Sequence, residues 1–190
     1  MKETPILFST PMVQAILAGH KTMTRRVAKD IDGSDPLYET KDGEIIDTVK
    51  LCPYGVPGDR LWVRETYMLM FNPYKPDEKP HIHYKADYPR DTVVWKSSMF
   101  MPRKYSRILL EITNVRVERV QQITEDDAIA EGCTLMFGVT SGGGMGLASP
   151  CYAFKKLWDK IYAKRGYGWD INPWVWVIEF KITQSKEGVL

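Results

Sequence analysis

Ile16-Leu17-Ala18-Gly19-His20-Lys21-Thr22-Met23-Thr24-Arg25-Arg26 is the stretch on which the reading of this chain turns. It joins an apolar helix end to a short cationic segment. Upstream, Val13, Ile16 and Leu17 recur at i, i+3, i+4, which predicts a helix with one buried face. Ser9 or Thr10 caps that helix and Pro11 occupies its first turn. Ile6-Leu7-Phe8 before it reads as a strand. Gly19 is the expected stop, since it enters the left-handed conformation that ends helices. Lys21 to Arg26 then emerges with a lysine, two hydroxyls and two arginines in six residues. A lysine beside a threonine suggests a base and a nucleophile, and adjacent guanidiniums suit an anionic or planar ligand. The plain alternative is a charged surface turn. Lys21 and Thr24 share a side only on turn-like backbone; a regular strand would send them to opposite faces.

Composition narrows the class. With 190 residues, 44% apolar, the chain can bury a real core. Its net charge of +2 demands no polyanionic partner, so any basic patch must be local. Six Trp and ten Tyr serve equally as core or as stacking platforms. Cys52, Cys133 and Cys151 are sparse, odd in number and without a CxxC, which predicts reduced thiols. No signal-peptide or membrane-spanning run is present, so a soluble, cytoplasmic protein is expected. His81 and His83, at i, i+2, lack a third partner and read as surface residues; no metal and no cofactor are called for. Cys151 lies near a helix start that would lower its pKa, but with no paired His it reads as packing.

Downstream, Lys41-Asp42-Gly43-Glu44 is a hairpin turn between Leu37-Tyr38 and Ile45-Ile46. Pro57-Gly58-Asp59 launches a strand in which Leu61, Val63 and Glu65 share one face and Arg60, Trp62, Arg64 and Thr66 the other. Ile82–Ala86 and Thr92–Lys96 read as short strands. Arg103, Lys104, Tyr105 and Arg107 form a basic, aromatic patch. The run from Ile108 to Val120 changes phase, which calls for a bulge near Thr113-Asn114. Thr124-Glu125-Asp126-Asp127 opens a short helix of capping-box type that stops at Gly132. Glu131 falls in its last turn, where the helix dipole disfavours a carboxylate, and this broken local preference hints at function. Residues 134–149, with the glycine-rich Ser141 to Gly146, read as a flexible loop. Ser149-Pro150 opens the strongest helix, with Phe154, Leu157, Trp158, Ile161 and Tyr162 on one side and Lys155 to Arg165 on the other. Trp174 to Ile182 is the last strand. Strands and helices do not alternate regularly. An α+β fold, a small mostly antiparallel barrel flanked by about three helices, fits better than a doubly wound sheet.

The segment Ile16–Arg25 resembles the signature of ASCH domains, a branch of the PUA-like superfold. Gly58 to Val63, Thr124 to Gly132 and Trp174 to Phe180 resemble that family's later elements in the same order. The combination is similar to the longer members found in bacteriophages and prophages. The resemblance covers most of the chain, excluding 30–57, 68–100 and 134–149, which it implies are insertions in a single domain over 1–190. It implies a PUA-like barrel whose cleft takes RNA or a modified nucleoside. In its amidohydrolase branch, which deacylates N4-acetylcytidine, a lysine, a threonine and a glutamate carry the reaction; these positions fall on Lys21, Thr24 and Glu131. Other members are ribonucleases or bind without chemistry, and both alternatives stay open.

For hydrolysis, Lys21 must be neutral to take the Thr24 proton, so its pKa has to fall well below its usual ~10.4. Burial and the neighbouring arginines would lower it, and the Glu131 charge would oppose them. Arg25, Arg26 and Arg64 are expected to hold a phosphate or carbonyl. Trp62 and Tyr105 are expected to stack on a base, with Glu65 and Arg103 beside them. A structural ion pair between Lys21 and Glu131 is the competing reading.

Overall fold

The computed structural model describes residues 1–29, 31, 37–39, 45–75, 77–88, 92–134, 136–139 and 145–185. Its centre is a five-stranded sheet in the order β1-β5-β8-β11-β2. These strands are β1 (Glu3–Leu7), β2 (Met23–Val27), β5 (Arg60–Arg64), β8 (Ile108–Arg119) and β11 (Trp174–Ser185). β1 runs parallel to β5, and the other three pairings are antiparallel. The fold is therefore α+β with a mixed sheet.

Among the described residues the sheet does not close into the expected barrel. Edge strands β1 and β2 share no backbone ladder. A side chain spans them instead: Arg26 Nη2 donates to the Leu7 carbonyl at 3.0 Å.

From Val175 to Phe180, strand β11 buries residues on both faces. Trp176, Ile178 and Phe180 pack into one core with Ile6, Phe8, Leu61, Val63 and Leu110, closed by Val13 and Ile16 of helix α1 (Thr10–Leu17). Val175 and Val177 pack into a second core with Met23, Val120, Phe154 and Trp158. Helices α2 (Glu125–Ala130) and α3 (Pro150–Tyr162) cover that side. The predicted helices hold, and so do their signals except one: Ser9 is the N-cap of α1 but its side chain makes no cap hydrogen bond. Pro11 and Pro150 sit in first turns, Ser149 Oγ accepts from the Tyr152 amide, and Thr124 Oγ1 accepts from the Asp127 amide. The predicted bulge is also present. The β8–β11 register slips opposite Glu179 and Phe180, leaving Thr113 as the extra residue.

Three two-stranded antiparallel ribbons lie outside the main sheet: β3 (Leu37–Glu39) with β4 (Ile45–Asp47), β6 (Tyr67–Met70) with β7 (His81–Tyr84), and β9 (Met136–Val139) with β10 (Met145–Ala148). The first matches the predicted hairpin, although its turn, 41–44, lies outside the described residues. The third replaces most of the loop expected over 134–149, and residues 140–144 between its strands are likewise outside them. Thr92–Lys96 is not a strand; it makes only a single bridge, Lys96 to Tyr67. Tyr67, Tyr84 and Met101 form a small core of their own beneath β6 and β7.

Candidate functional site

Two helix ends build the site. At the end of α1, Gly19 takes φ +74°; its amide donates to Ile16 and the His20 amide to Ala15. At the end of α2, Gly132 takes φ +86°; its amide donates to Ile129 and the Cys133 amide to Ala128. Both are the same left-handed terminator, which satisfies the last carbonyls and turns the chain sharply. The turns bring Lys21 and Glu131 into an antiparallel bridge, with the Thr22 amide on the Ala130 carbonyl at 2.9 Å. Gly132 has a second reason to be glycine. A Cβ there would lie 3.2 Å from Ala15 Cβ and 3.4 Å from Lys21 Cβ.

Lys21 is 1% exposed and Glu131 4%. Lys21 Nζ donates to Glu131 Oε2 at 2.7 Å, to the Glu131 carbonyl at 2.8 Å and to the Met23 carbonyl at 2.7 Å. Its three protons are thus all placed. Burial pushes the Lys21 pKa below its ordinary value, while the Glu131 charge and hydrogen bond pull the other way. Glu131 Oε1 is buried with no hydrogen bond, although Arg25 Nη1 stands 3.5 Å away. The carboxylate that a helix C-terminus disfavours is held by two cations from one neighbouring segment.

Thr24, fully buried, faces the other way along β2. Its hydroxyl accepts from Arg26 Nη1 at 2.7 Å, and no hydrogen bond joins it to Lys21. The structure brings Lys21 and Glu131 together and ties Thr24 to Arg26. The Phe8 ring links the two halves: Lys21 Nζ stands 5.6 Å and Arg26 Cζ 5.2 Å from its centroid.

Arg25 is turned inward. It donates to Glu118 at 2.5 Å and Asp127 at 2.6 Å, and its guanidinium lies over Phe154. Arg116 joins the same network through Glu118, Asp127 and Glu179. Burial works to raise the Asp127 pKa, but the Arg25 hydrogen bond and the charges of Arg25 and Arg116 bring it below its ordinary value. Glu65 is also inward. Arg107 donates to it at 2.9 and 3.1 Å and to Asp87 at 2.7 and 2.8 Å, with its guanidinium 4.0 Å from the Tyr84 ring. That network ties β7 to the main sheet. Trp62 lies on the outer face of β5 between Arg64 and Arg103, whose Cζ atoms are 5.7 and 5.9 Å from its ring. Arg103 also pairs with Glu3, and Tyr105 packs on Tyr67.

The open space lies beside this centre. A cleft of about 440 Å³ is lined by Phe8, Tyr54, Tyr162, Arg26, Arg64 and Arg165, among others. An adjoining one of about 390 Å³ reaches Glu131, Gly132 and Lys160. Lys21 and Thr24 stand behind these walls. Tyr54 and Tyr162 were not anticipated as site residues, because they lie far apart in the chain. Burial pushes the Tyr54 pKa up, against the charge of Arg26 and a hydrogen bond to it. The basic side of α3 was the one sequence signal for Arg165.

Cys151, expected to have a lowered pKa, is instead pushed up to about 11 by burial and by the neighbouring Glu125 carboxylate. His83 packs edge-on against Tyr88, and no third side chain joins it and His81 in a metal-holding group among the described residues. Among them, too, no helix is long and apolar enough to cross a membrane.

No protein-family model matches this chain, and no curated protein matches it. Among solved structures it is similar to an ASCH domain from Lactobacillus crispatus. The two are 15% identical, with 96% of this chain and 80% of that chain covered and a TM-score of 0.44. It is also similar to a protein from Enterococcus faecalis assigned to the family DUF984. There the identity is 9%, the coverage 100% and 85%, and the TM-score 0.45.

Proposed function

We propose that residues 1–190 act as one ASCH-type, PUA-like domain carrying three ribbon insertions, and that its cleft holds RNA or a modified nucleoside. The observation that carries this reading is the pairing of aromatic and cationic walls. Tyr54 and Tyr162, both half-buried, offer aromatic walls, and Arg26 and Arg64 offer planar donors, in a cleft of about 440 Å³. That volume lies within the ~300–1,000 Å³ of small-molecule sites. Stacking on such rings contributes ~1–3 kcal/mol per base. The test is fluorescence anisotropy of a labelled ~10-nucleotide single-stranded RNA across a salt series. Affinity should fall as salt rises, and Tyr54→Leu should weaken binding by ~10-fold. A protein that binds neither RNA nor any nucleoside would end the proposal.

Amide hydrolysis on an acylated nucleoside is a second reading, favoured by one observation. The Thr24 hydroxyl accepts from Arg26, which stabilises an alkoxide, and no described group accepts its own proton. Lys21 opposes it in this conformation, because its three protons are committed and Glu131 holds its charge. Hydrolysis then needs Lys21 to lose a proton and swing toward Thr24. Acetate release from N4-acetylcytidine, abolished in Thr24→Val, supports this reading; no release from the intact protein removes it.

A further inference from the structure

We infer that the ligand of the larger cleft carries a phosphate, and that Arg64, Arg165 and the first turn of α1 form its seat. The inference rests on the RNA-or-nucleoside reading above and narrows it to a nucleotide or a phosphodiester rather than a free nucleoside.

The argument starts from which guanidiniums are already neutralised. Arg25, Arg107 and Arg116 each face two or more carboxylates, and Arg103 pairs with Glu3. The arginines of the cleft differ. Arg64 and Arg165 make no ion pair among the described residues, and Arg26 meets no carboxylate there: it donates to the Thr24 hydroxyl and the Arg25 and Leu7 carbonyls and hydrogen-bonds with Tyr54. No carboxylate lines the cleft among the described residues. In a chain with nearly as many acids as bases, 24 against 26, such a carboxylate-free concavity is a local imbalance. Guanidiniums gathered without a counter-charge repel one another, and a bound anion removes that cost.

The backbone register brings two of them together. Leu7 pairs with Arg64 across β1 and β5, and the Leu7 carbonyl is the acceptor for Arg26 Nη2. Arg64 lines the cleft while its Nε is buried without a hydrogen-bond partner, so the rest of its guanidinium is what the cleft can use. Arg165 comes from the opposite wall, just past α3, beside Tyr162.

The α1 helix supplies the fourth contribution. Its N-cap, Ser9, makes no side-chain cap bond, and Ser9 and Met12 both line the cleft. The positive end of an eight-residue helix therefore opens on the same space, with no acidic residue in its first turn. Forked guanidiniums match phosphate oxygens in pairs, while Tyr54 and Tyr162 leave room for a base beside them.

The test is calorimetric titration of the full chain at low salt. Cytidine, N4-acetylcytidine, uridine, adenosine and guanosine are compared with their 5′- and 3′-monophosphates, with matching dinucleoside monophosphates, and with inorganic phosphate alone. At least one phosphorylated ligand should bind ~10-fold or more tighter than its parent nucleoside, since a charge-assisted contact is worth ~1.5–3 kcal/mol. Arg165→Gln, at the exposed end of α3, and Arg64→Gln should each shrink that gap. Preference for a monoester marks a free nucleotide, and an equal or tighter dinucleotide marks an RNA strand; either supports the seat. If nucleosides and nucleotides bind equally, the phosphate seat is overturned and the nucleoside reading stands. The same holds if both variants keep the gap. If inorganic phosphate alone binds as tightly as any nucleotide, the nucleotide claim is overturned. If no nucleoside, nucleotide or RNA binds, both readings fall together.

Discussion

Replacing Gly132 and Gly19 by alanine separates two costs that both glycines share only in part. Each sits at positive φ, +86° and +74°, in the same kind of helix terminator. An L-residue there costs ~1–2 kcal/mol, whatever surrounds it. Around Gly19 a Cβ would meet nothing within 4 Å, so Gly19→Ala should cost only that. At Gly132 the new methyl would press on Ala15 Cβ at 3.2 Å and Lys21 Cβ at 3.4 Å. Ala15 belongs to α1 and Lys21 is held by three hydrogen bonds, so neither yields freely. Overpacking of this kind adds ~1–3 kcal/mol, which takes Gly132→Ala to ~2–5 kcal/mol. At ~2–4 °C per kcal/mol for a chain of this size, the two variants should melt visibly apart. Urea unfolding followed by tryptophan fluorescence gives the free energies, and thermal melts check them. Ala15→Gly in the Gly132→Ala background should recover part of the packing cost, so the two changes should be less than additive. A Gly19→Ala protein as damaged as Gly132→Ala, or strict additivity with Ala15→Gly, would refute the close-approach argument.

Three other outcomes are expected. Lys21→Met leaves Glu131 buried beside Arg25 alone and should cost ~3–5 kcal/mol; adding Glu131→Gln should return part of it, and additive costs in thermal melts would deny the pair. Arg107→Met strands the buried Glu65 carboxylate and should cost ~3–5 kcal/mol, whereas Arg103→Met breaks an exposed pair with Glu3 and should cost under ~1 kcal/mol in urea titrations. The pH dependence has two arms of known sign. Asp127 has a folded pKa below its ordinary 3.8, so the unfolded chain binds more protons in acid; its stabilisation, full above 3.8, is lost as pH falls through the folded value, and Asp127→Asn should flatten that limb. Lys21 is lowered from 10.5, so between its folded value and 10.5 the unfolded chain again holds more protons; stability should gain from Lys21 as pH rises through that window, and a urea-midpoint series lacking this gain relative to Lys21→Met would contradict the assignment.

How much could be read from the residues depended on how local the cause was. Gly19 and Gly132 are stop signals with a mechanism confined to one turn, and both take the conformation expected of them. The alternation in Arg60–Arg64 and in β11 reports faces, and Leu61, Val63, Trp176 and Ile178 are buried accordingly. Glu131 stood out by breaking a helix-end preference, and its partner proved to be Lys21. Pairing direction left no mark. Nothing in Glu3–Leu7 says that it runs parallel to β5, and nothing in periodicity says whether a sheet closes. Glu65 and Arg25 were expected to face a ligand, but their partners, Arg107, Glu118 and Asp127, lie 42 to 102 residues away. Thr24 and Lys21 are three residues apart, and a strand starting at Met23 was enough to send their side chains to different partners.

The central position of β11 also governs the order in which this molecule can form. β11 lies between β8 and β2, yet it follows both in the chain; β2 begins some 150 residues before its partner. Until Trp174–Ser185 has left the ribosome, both hydrophobic cores lack their shared wall and β2 has no strand to pair with. The nascent chain must therefore hold apolar strands and the Lys21 segment unassembled over the stretch that separates β2 from β11. Such late, long-range closure slows folding and exposes apolar surface of the unfinished chain to aggregation.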